Sequence, residues 1–359
     1  MIVGLVIYGH LEIVTGGFLY DRMLVEHLRS CGDTVEIFPL PWRTYGRHLL
    51  DNASSRFWRA LSGARLDVLL QDELNHPSLF IGNRLLKRNA GYPIVSIVHH
   101  LRCSEQRAAW KNRLYGIVER DYLSRVDGYV FNSATTRSTV EELIGSCNRS
   151  VIAYPGRDAG SPPPSVNRIS QESLEPGPLR ILFVGSLIQR KELHTLLMAL
   201  ARLPLDAWKL DVVGSLESDP DYVAMIHRIV ETQAIGKNVR MLGVLDRQGL
   251  IERYGQNQFL AVPSSYEGFG IVYLEAMGFG LPCLAGNVGA AREIVTPGKD
   301  GFLVTPGNID SIAGYVDQLI RDRDMLQNMS LAALDRYAVH PTWHDSAEKI
   351  RNFLSEMVK

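Results

Sequence analysis

Along the first half of the chain, short unbroken apolar runs alternate with stretches whose apolar side chains recur at helical spacing. The runs at 2–7, 35–38, 66–70, 94–98, 127–131 and 151–154 are rich in Val and Ile and read as strands. Between the first two, 18–31 places Leu19, Met23, Leu24 and Leu28 along one face and reads as a helix. Strands that are apolar at every position, not at every second one, are covered on both faces. That implies a parallel sheet with crossover helices, a doubly wound α/β pattern.

The alternation breaks at 155–178, a stretch with six prolines and no extended apolar run. It then restarts. Strands are expected at 181–184, 210–213, 239–242, 259–262 and 282–285, and helices from Glu192, at 221–234, 247–255, from about Gly270, at 309–320 and at 343–357. The expected organisation is therefore two Rossmann-like domains with a cleft between them: residues 1–160, a linker at 161–178, residues 179–340, and a terminal helix within 341–359 that packs back on the first domain.

Composition narrows the function classes. Lys plus Arg number 38 against 39 Asp plus Glu, without the basic surplus of a nucleic-acid binder. The four cysteines, Cys31, Cys103, Cys147 and Cys283, show no CxxC spacing, so neither a zinc-ribbon motif nor a disulfide scaffold is indicated. The start MIVGLVIYGH has no basic lead-in or cleavage site and reads as a first strand, not a signal peptide, and no apolar stretch is long enough to cross a membrane. The expected location is the cytoplasm, with a peripheral place at the inner membrane face left open. That option rests on Arg43, Arg47, Arg56, Phe57, Trp58 and Arg59, where arginine interleaves with aromatics as on a face for anionic lipid. An ordinary solvated surface is the plainer reading.

The chemistry is most legible in SSYEGFGIVYLEAMGFGLPCLAG, 264–286. A glycine-bearing loop follows a strand and opens a helix, which is where parallel sheets bind ligands and where free amides suit a phosphate. Glu267 precedes that helix and Glu275 lies on its second turn; carboxylates there can accept hydrogen bonds from sugar or ribose hydroxyls. A capping Glu267 and a solvated Glu275 are the bland alternative, weakened by the apolar neighbours Val272, Tyr273, Leu274, Ala276 and Met277.

EGFGIVYLEAM resembles the E-x7-E segment of retaining GT-B glycosyltransferases, specifically glycosyltransferase family four, the glycosyl transferases group 1. The likeness extends over nearly the whole chain and is strongest at 180–310. FVGSLIQRKELHTLLMAL (183–200) looks like the family's phosphate-binding strand, loop and helix, and AREIVTPGKDGFLVTPGN (291–308) like its next landmark. The resemblance implies a nucleoside-diphosphate sugar donor (UDP- or GDP-sugar), a saccharide, lipid or other hydroxyl acceptor, and no further cofactor. Glu267 would bind the donor sugar, Glu275 the ribose, and the backbone amides of Gly270 and Ile271 the diphosphate, with Gly268 and Phe269 of the same loop as further donor-binding residues. Lys191 would stabilise the leaving group. Many relatives carry Arg directly after the glycine of that loop; here Ser186 stands there, and Arg190 is the nearby substitute. Gly16 and Gly17 match the family's glycine loop, and His99, at the end of the fourth run, matches a histidine used near the donor sugar. Glu267, Lys191 and His99 are thus the expected catalytic set.

The resemblance also implies a front-face mechanism without metal. Asp219 and Asp221 mimic a DxD metal motif but sit at a helix start, where Asp is an ordinary cap. His99 and His100 have no carboxylate or Cys at ligand spacing, and His340 and His344 read as surface residues separated by Pro341. Three alternatives stay open: a nucleotide-sugar epimerase, a sugar phosphorylase, and a non-catalytic nucleotide-sugar-binding subunit.

Overall fold

The computed structural model describes residues 1–13, 15–105, 107–158 and 164–359. The chain forms two compact units, Met1–Gly156 with Pro341–Lys359, and Arg157–His340. Each is built on one six-stranded sheet in which every strand pair is parallel.

In the first unit the strands are β1 (Ile2–Tyr8), β2 (Thr34–Leu40), β3 (Val68–Asp72), β4 (Ile94–Val98), β5 (Gly128–Phe131) and β6 (Ser150–Ile152). They lie in the order β2-β1-β3-β4-β5-β6, so the winding reverses between β1 and β3. Val3, Leu5 and Ile7 bury on one face of β1 while Val6 and Tyr8 bury on the other, into separate apolar clusters. Double coverage is the reason β1 reads as an unbroken apolar run. The helix Gly16–Ser30 follows β1, with Thr15 accepting from the Phe18 amide at 3.4 Å. The helix Trp343–Val358 joins this unit, inserting Ala347, Ile350 and Leu354 into the same cluster as β1.

The second unit holds β7 (Leu179–Val184), β8 (Trp208–Val213), β9 (Val239–Gly243), β10 (Phe259–Val262), β11 (Cys283–Gly286) and β12 (Gly301–Val304), ordered β12-β11-β10-β7-β8-β9. Here the reversal lies between β7 and β10. These two reversals are where doubly wound sheets take ligands, because the loops leaving the adjacent strands diverge to opposite faces.

Four features depart from the sequence expectations. The expected linker contains the helix Val166–Leu174, capped by Ser165, which packs on the helix Arg323–Ala338 and has Ile169 buried. Its flanking prolines and single core side chain hide it; the prolines at 162 and 163 lie outside the described residues. The helix Arg323–Ala338 was also not foreseen, because its buried stripe of Leu326, Met329, Ser330, Ala333 and Tyr337 is apolar in only part. β12 begins with Gly301, whose bare Cα admits the Cys283 carbonyl; a Cβ would stand 2.1 Å from that oxygen. Finally, β3 runs two residues further than its apolar run, so Asp72 ends the strand at the reversal point.

Candidate active site

In the second unit, the loops after β7 and β10 meet at the reversal. The Ser265 amide donates to the Arg190 carbonyl at 2.8 Å, and Arg190 Nη1 donates to the Tyr266 carbonyl at 2.6 Å. Lys191 Nζ lies 2.5 Å from Glu267 Oε1, which also accepts from Ser264 Oγ at 2.7 Å; Arg190 Nη1 is 3.6 Å from Glu267 Oε2. The loop geometry is enforced by bare backbones. A Cβ on Gly185 (φ +155°) would press the Lys191 side chain at 3.1 Å, and one on Gly289 would stand 2.0 Å from the Glu267 carbonyl. Glu192 adopts the left-handed conformation at φ 57°, its carboxylate accepting from Thr195 Oγ1 at 2.6 Å and the Gly307 amide at 3.0 Å. Such backbone costs free energy in a non-glycine residue, and those two bonds hold it. The turn aims Lys191 at Glu267.

Electrostatics follow from burial. Burial alone would raise the Glu267 carboxyl, but Lys191 and Arg190, with the hydrogen bonds from Lys191 and Ser264, hold it down at about 2. Burial lowers the Lys191 ammonium, with Glu267 opposing. Glu267 is therefore ionised at neutral pH. Glu275 is half-buried, and desolvation raises its carboxyl against the hydrogen bond donated by Tyr254 Oη at 3.0 Å. Gly270, at φ +96°, caps the helix Ile271–Met277; a Cβ there would strike the Tyr273 ring at 2.4 Å. Ser186 is exposed, whereas Phe269 is buried with its ring 5.8 Å from that of His340. His340 is itself buried, contrary to the surface position expected, because it precedes the last helix and packs under Phe269. Asp219 caps the helix Pro220–Thr232, accepting from the Tyr222 amide at 3.1 Å.

The first unit gathers a different set. Gly17 lies beneath the His99 ring, where a Cβ would stand 3.3 Å from Cδ2. His99 Nε2 is 3.5 Å from Asp21 Oδ1; Asp21 is fully buried and, among the described residues, neither of its carboxylate oxygens has a hydrogen-bond partner. Asp21, Asp72 and His99 bring ligand-type atoms within 4.8 Å of one another, so carboxylates do accompany this histidine, from α-helical and strand-end positions that sequence spacing cannot connect. Burial disfavours a charged His99, but Asp21, Asp72 and Glu73 outweigh it and raise its pKa. Burial and the neighbouring Asp21 push Asp72 up to about 7, with His99 opposing. Burial likewise takes Glu73 to about 7 and presses His76 down to about 4. Glu119 Oε1 accepts from the Arg102 amide at 2.5 Å and its Oε2 from the Cys103 amide at 3.1 Å, fixing the turn after β4.

Ser264, Tyr254, Asp21, Asp72 and Glu73 went unnoticed in the sequence. Asp21 left a trace, an acidic residue on the buried stripe of Phe18, Leu24, Val25 and Leu28. In the arginine–aromatic cluster Arg43, Arg47, Arg56 and Arg59 are exposed, while Phe57 and Trp58 are half-buried and pack against the core; a Cβ on Gly82 would stand 1.9 Å from the Trp58 ring. Among the described residues, no helix is long and apolar enough to cross a membrane.

Two Rossmann-like units, with a cation-held glutamate at the reversal of the second, define the GT-B class of fold. Family models agree: residues 9–156 match the glycosyl transferase 4-like domain and residues 166–336 match the glycosyl transferases group 1, so the chain belongs to the group 1 glycosyltransferases. It is 27% identical over 250 residues to D-inositol 3-phosphate glycosyltransferase of Corynebacterium aurimucosum, a match covering 67% of this chain and 59% of that protein. The chain thus aligns with well under two thirds of that relative's length. Among solved structures, sucrose-phosphate synthase from Thermosynechococcus elongatus superposes with a TM-score of 0.84 at 21% identity, over 99% of this chain and 98% of that one. Anabaena HepE in complex with UDP-glucose gives 0.79 at 19% identity, over 99% and 100%.

Proposed function

We propose that this protein moves a hexose from a nucleoside-diphosphate sugar to a hydroxyl acceptor with retention of anomeric configuration. The observation that carries the reading is the Lys191–Glu267–Arg190 constellation at the β7/β10 reversal, with Glu267 buried between two partly buried cations. Two cations beside one ionised carboxylate suit a ligand with a doubly charged diphosphate next to a hydroxylated ring. Lys191 and Arg190 take the diphosphate, Glu267 the sugar hydroxyls and Glu275 the ribose hydroxyls.

As the C1–oxygen bond to the diphosphate breaks, negative charge grows on the departing oxygen, and Lys191 stabilises it most in the transition state. The acceptor oxygen bonds to C1 on the same face, and its proton passes to the departing phosphate. The reaction needs no metal in this scheme, since the two side chains supply the positive charge. His99, raised in pKa by its carboxylates, serves the sugar on the first unit's side. The inhibitor-free test is product analysis with UDP- and GDP-hexoses, with the anomeric configuration read by proton NMR. A retained glycoside supports the reading. Conversion of donor alone would reveal an epimerase, phosphate-dependent cleavage a phosphorylase, and donor binding without turnover a non-catalytic subunit.

Peripheral membrane contact is proposed for the helix Ala109–Leu123 beside the exposed arginines of the arginine–aromatic cluster in the same unit. Its Trp110, Leu114 and Ile117 are more than half exposed at helical spacing, beside Lys111 and Arg113. Cosedimentation with anionic vesicles, lost in Trp110→Ala with Ile117→Ala, is the expected result; equal binding by that variant would remove this surface from consideration.

A further inference from the structure

The last helix and the first meet through two pairs of side chains, each pair four residues apart. His27 and Cys31 stand at the end of Gly16–Ser30, Cys31 being its cap, and His344 and Glu348 stand in the first turns of Trp343–Val358. Positions i and i+4 share a helix face, so each helix presents two ligand-type side chains. The faces are turned toward each other: His27 Nε2 is 2.9 Å from Glu348 Oε2 and 3.6 Å from Cys31 Sγ, and the His344 ring meets the His27 ring edge-on at 4.9 Å. The ligand atoms of His27, Cys31 and Glu348 all lie within 4.8 Å of one another.

We infer that His27, Cys31 and Glu348, with His344 as the fourth ligand, form a structural zinc site that staples the last helix to the first. Zinc bond lengths near 2.0–2.3 Å set tetrahedral edges of about 3.3 Å between N and O and about 3.6 Å between N and S. The His27–Cys31 separation of 3.6 Å matches its edge, and the His27–Glu348 separation of 2.9 Å is somewhat shorter than its own. The donor set of one thiolate, one carboxylate and two imidazoles is that of a borderline-soft cation, and it argues against Mg2+ or Ca2+, which take oxygen. Two anionic ligands neutralise a divalent ion. The nearest cation does not compete for the centre, because Arg351 directs its Nε to Asp33 at 2.7 Å, where the chain's N-terminal ammonium also pairs. The exposed Cys31 and half-exposed Glu348 leave an entry path. Binding deprotonates the Cys31 thiol and displaces the His27–Glu348 hydrogen bond.

The pattern escapes a spacing search because the pairs H-x3-C and H-x3-E lie at opposite ends of the chain. Neither pair alone is a motif. Nothing here depends on the transfer reaction, and the test reads no activity.

Chelator-treated full-length protein is titrated with Co2+ and then with Zn2+. The expected result is a thiolate-to-cobalt charge-transfer band that saturates at one equivalent, is bleached by one equivalent of Zn2+, and is absent in Cys31→Ser. The other three cysteines, Cys103, Cys147 and Cys283, are partly or fully buried and remain in that variant as internal controls. Glu348→Gln and His344→Ala keep the band and bind Zn2+ at least tenfold more weakly. Zinc also slows amide exchange across 343–358 at least tenfold in the wild type and not in Cys31→Ser. Absence of the band in folded wild type at one equivalent overturns the site, as does an equal band in Cys31→Ser. A band lost in Cys31→Ser but with His344→Ala binding unchanged would overturn the fourth ligand alone.

Discussion

Two sets of buried carboxylates occupy equivalent places in the two sheets, at or just beyond the strand ends where the winding reverses, yet they end in opposite states. Glu267, after β10, is held ionised at about 2 by Lys191 and Arg190. Asp72 and Glu73, at and just beyond the end of β3, are pushed up to about 7 by desolvation, which outweighs the nearby histidines, Arg102 and the hydrogen bonds from the Leu74 amide and Glu119 that oppose it. Burial is similar in both, so burial does not decide the state; the partner does. A cation in direct contact at 2.5 Å outweighs desolvation, whereas carboxylates sharing one pocket aggravate it. The second unit therefore offers fixed charge to a ligand, and the first holds groups that exchange protons near neutral pH.

The largest expected effect breaks the fixed-charge side. Lys191→Ala removes the group proposed to meet charge that develops on the leaving oxygen, and kcat should fall by about 10²- to 10³-fold. Glu267→Ala should follow with a loss of about 10- to 150-fold in kcat, the worth of a hydrogen bond to a charged group whose contact tightens as the ring gains positive charge. Steady-state transfer at varied donor and saturating acceptor gives both numbers, with circular dichroism confirming the fold. A kcat within twofold of wild type for both variants would sink the E-x7-E reading and with it most of the case for transfer.

Next comes the proton-holding side, where the sign of the pH effect is unusual for carboxylates. Asp72 has its folded pKa raised from 3.8 to about 7, so between those values the folded chain binds more protons than the unfolded one. Stability is then fully present below about 4 and is lost as pH rises toward 7. The loss is about 2 kcal/mol between pH 5 and 7 from this one group. Glu267 runs the other way: its stabilising contribution is present above 4.5 and disappears as pH falls toward about 2. Asp72→Asn should flatten the decline of the urea midpoint from pH 5 to 7 and leave the acid limb unchanged. An unaltered slope in that variant would mean that cations outside the cluster, not the pocket itself, set its protonation.

A smaller effect separates the two glutamates of the second unit. In the proposed reaction Glu275 holds the ribose, a part of the donor that does not react, so its contact is alike in ground and transition states. Glu275→Ala should raise the donor KM and spare kcat. Tyr254→Phe, which removes only the hydrogen bond that orients Glu275, should raise KM by about 2- to 12-fold. Turnover lost in Glu275→Ala, with Glu267→Ala losing only affinity, would exchange the two assignments.

The same contrast explains what could be read from the chain beforehand. Unbroken apolar runs located most of the strands, because a strand covered on both faces cannot hide its composition. Lys191, Glu267 and Glu275 were legible because a glycine-bearing loop and a helix start fall within one short segment. His99 was legible through the resemblance, but its partners Asp21 and Asp72 were not, since a helix and another strand's end supply one residue each. β12 and the helix Arg323–Ala338 escaped for a related reason: Gly301, Ser330 and Ala333 are selected by close approach, which leaves little hydrophobic signal.

The smallest expected effect is the sharpest check on whether fixed side-chain charge suffices. Asp219 and Asp221 imitate a metal-binding pair, but Asp219 spends its carboxylate on the Tyr222 amide and Asp221 lies in the first helical turn. Asp219→Ala with Asp221→Ala should cost about 1 kcal/mol of stability through the lost cap, while the transfer rate stays within a few-fold. Transfer should likewise persist in excess chelator at the assay temperature, because in the proposed scheme Lys191 and Arg190 supply the positive charge a divalent ion would bring. Chelation at the His27–Cys31–Glu348 cluster acts on the last helix and is read by amide exchange, so the two outcomes remain separable. Activity abolished by chelator and restored by manganese, with Asp219→Ala and Asp221→Ala equally inactive, would show that the cation-held glutamate is not enough and that the second unit's positive charge comes from a metal.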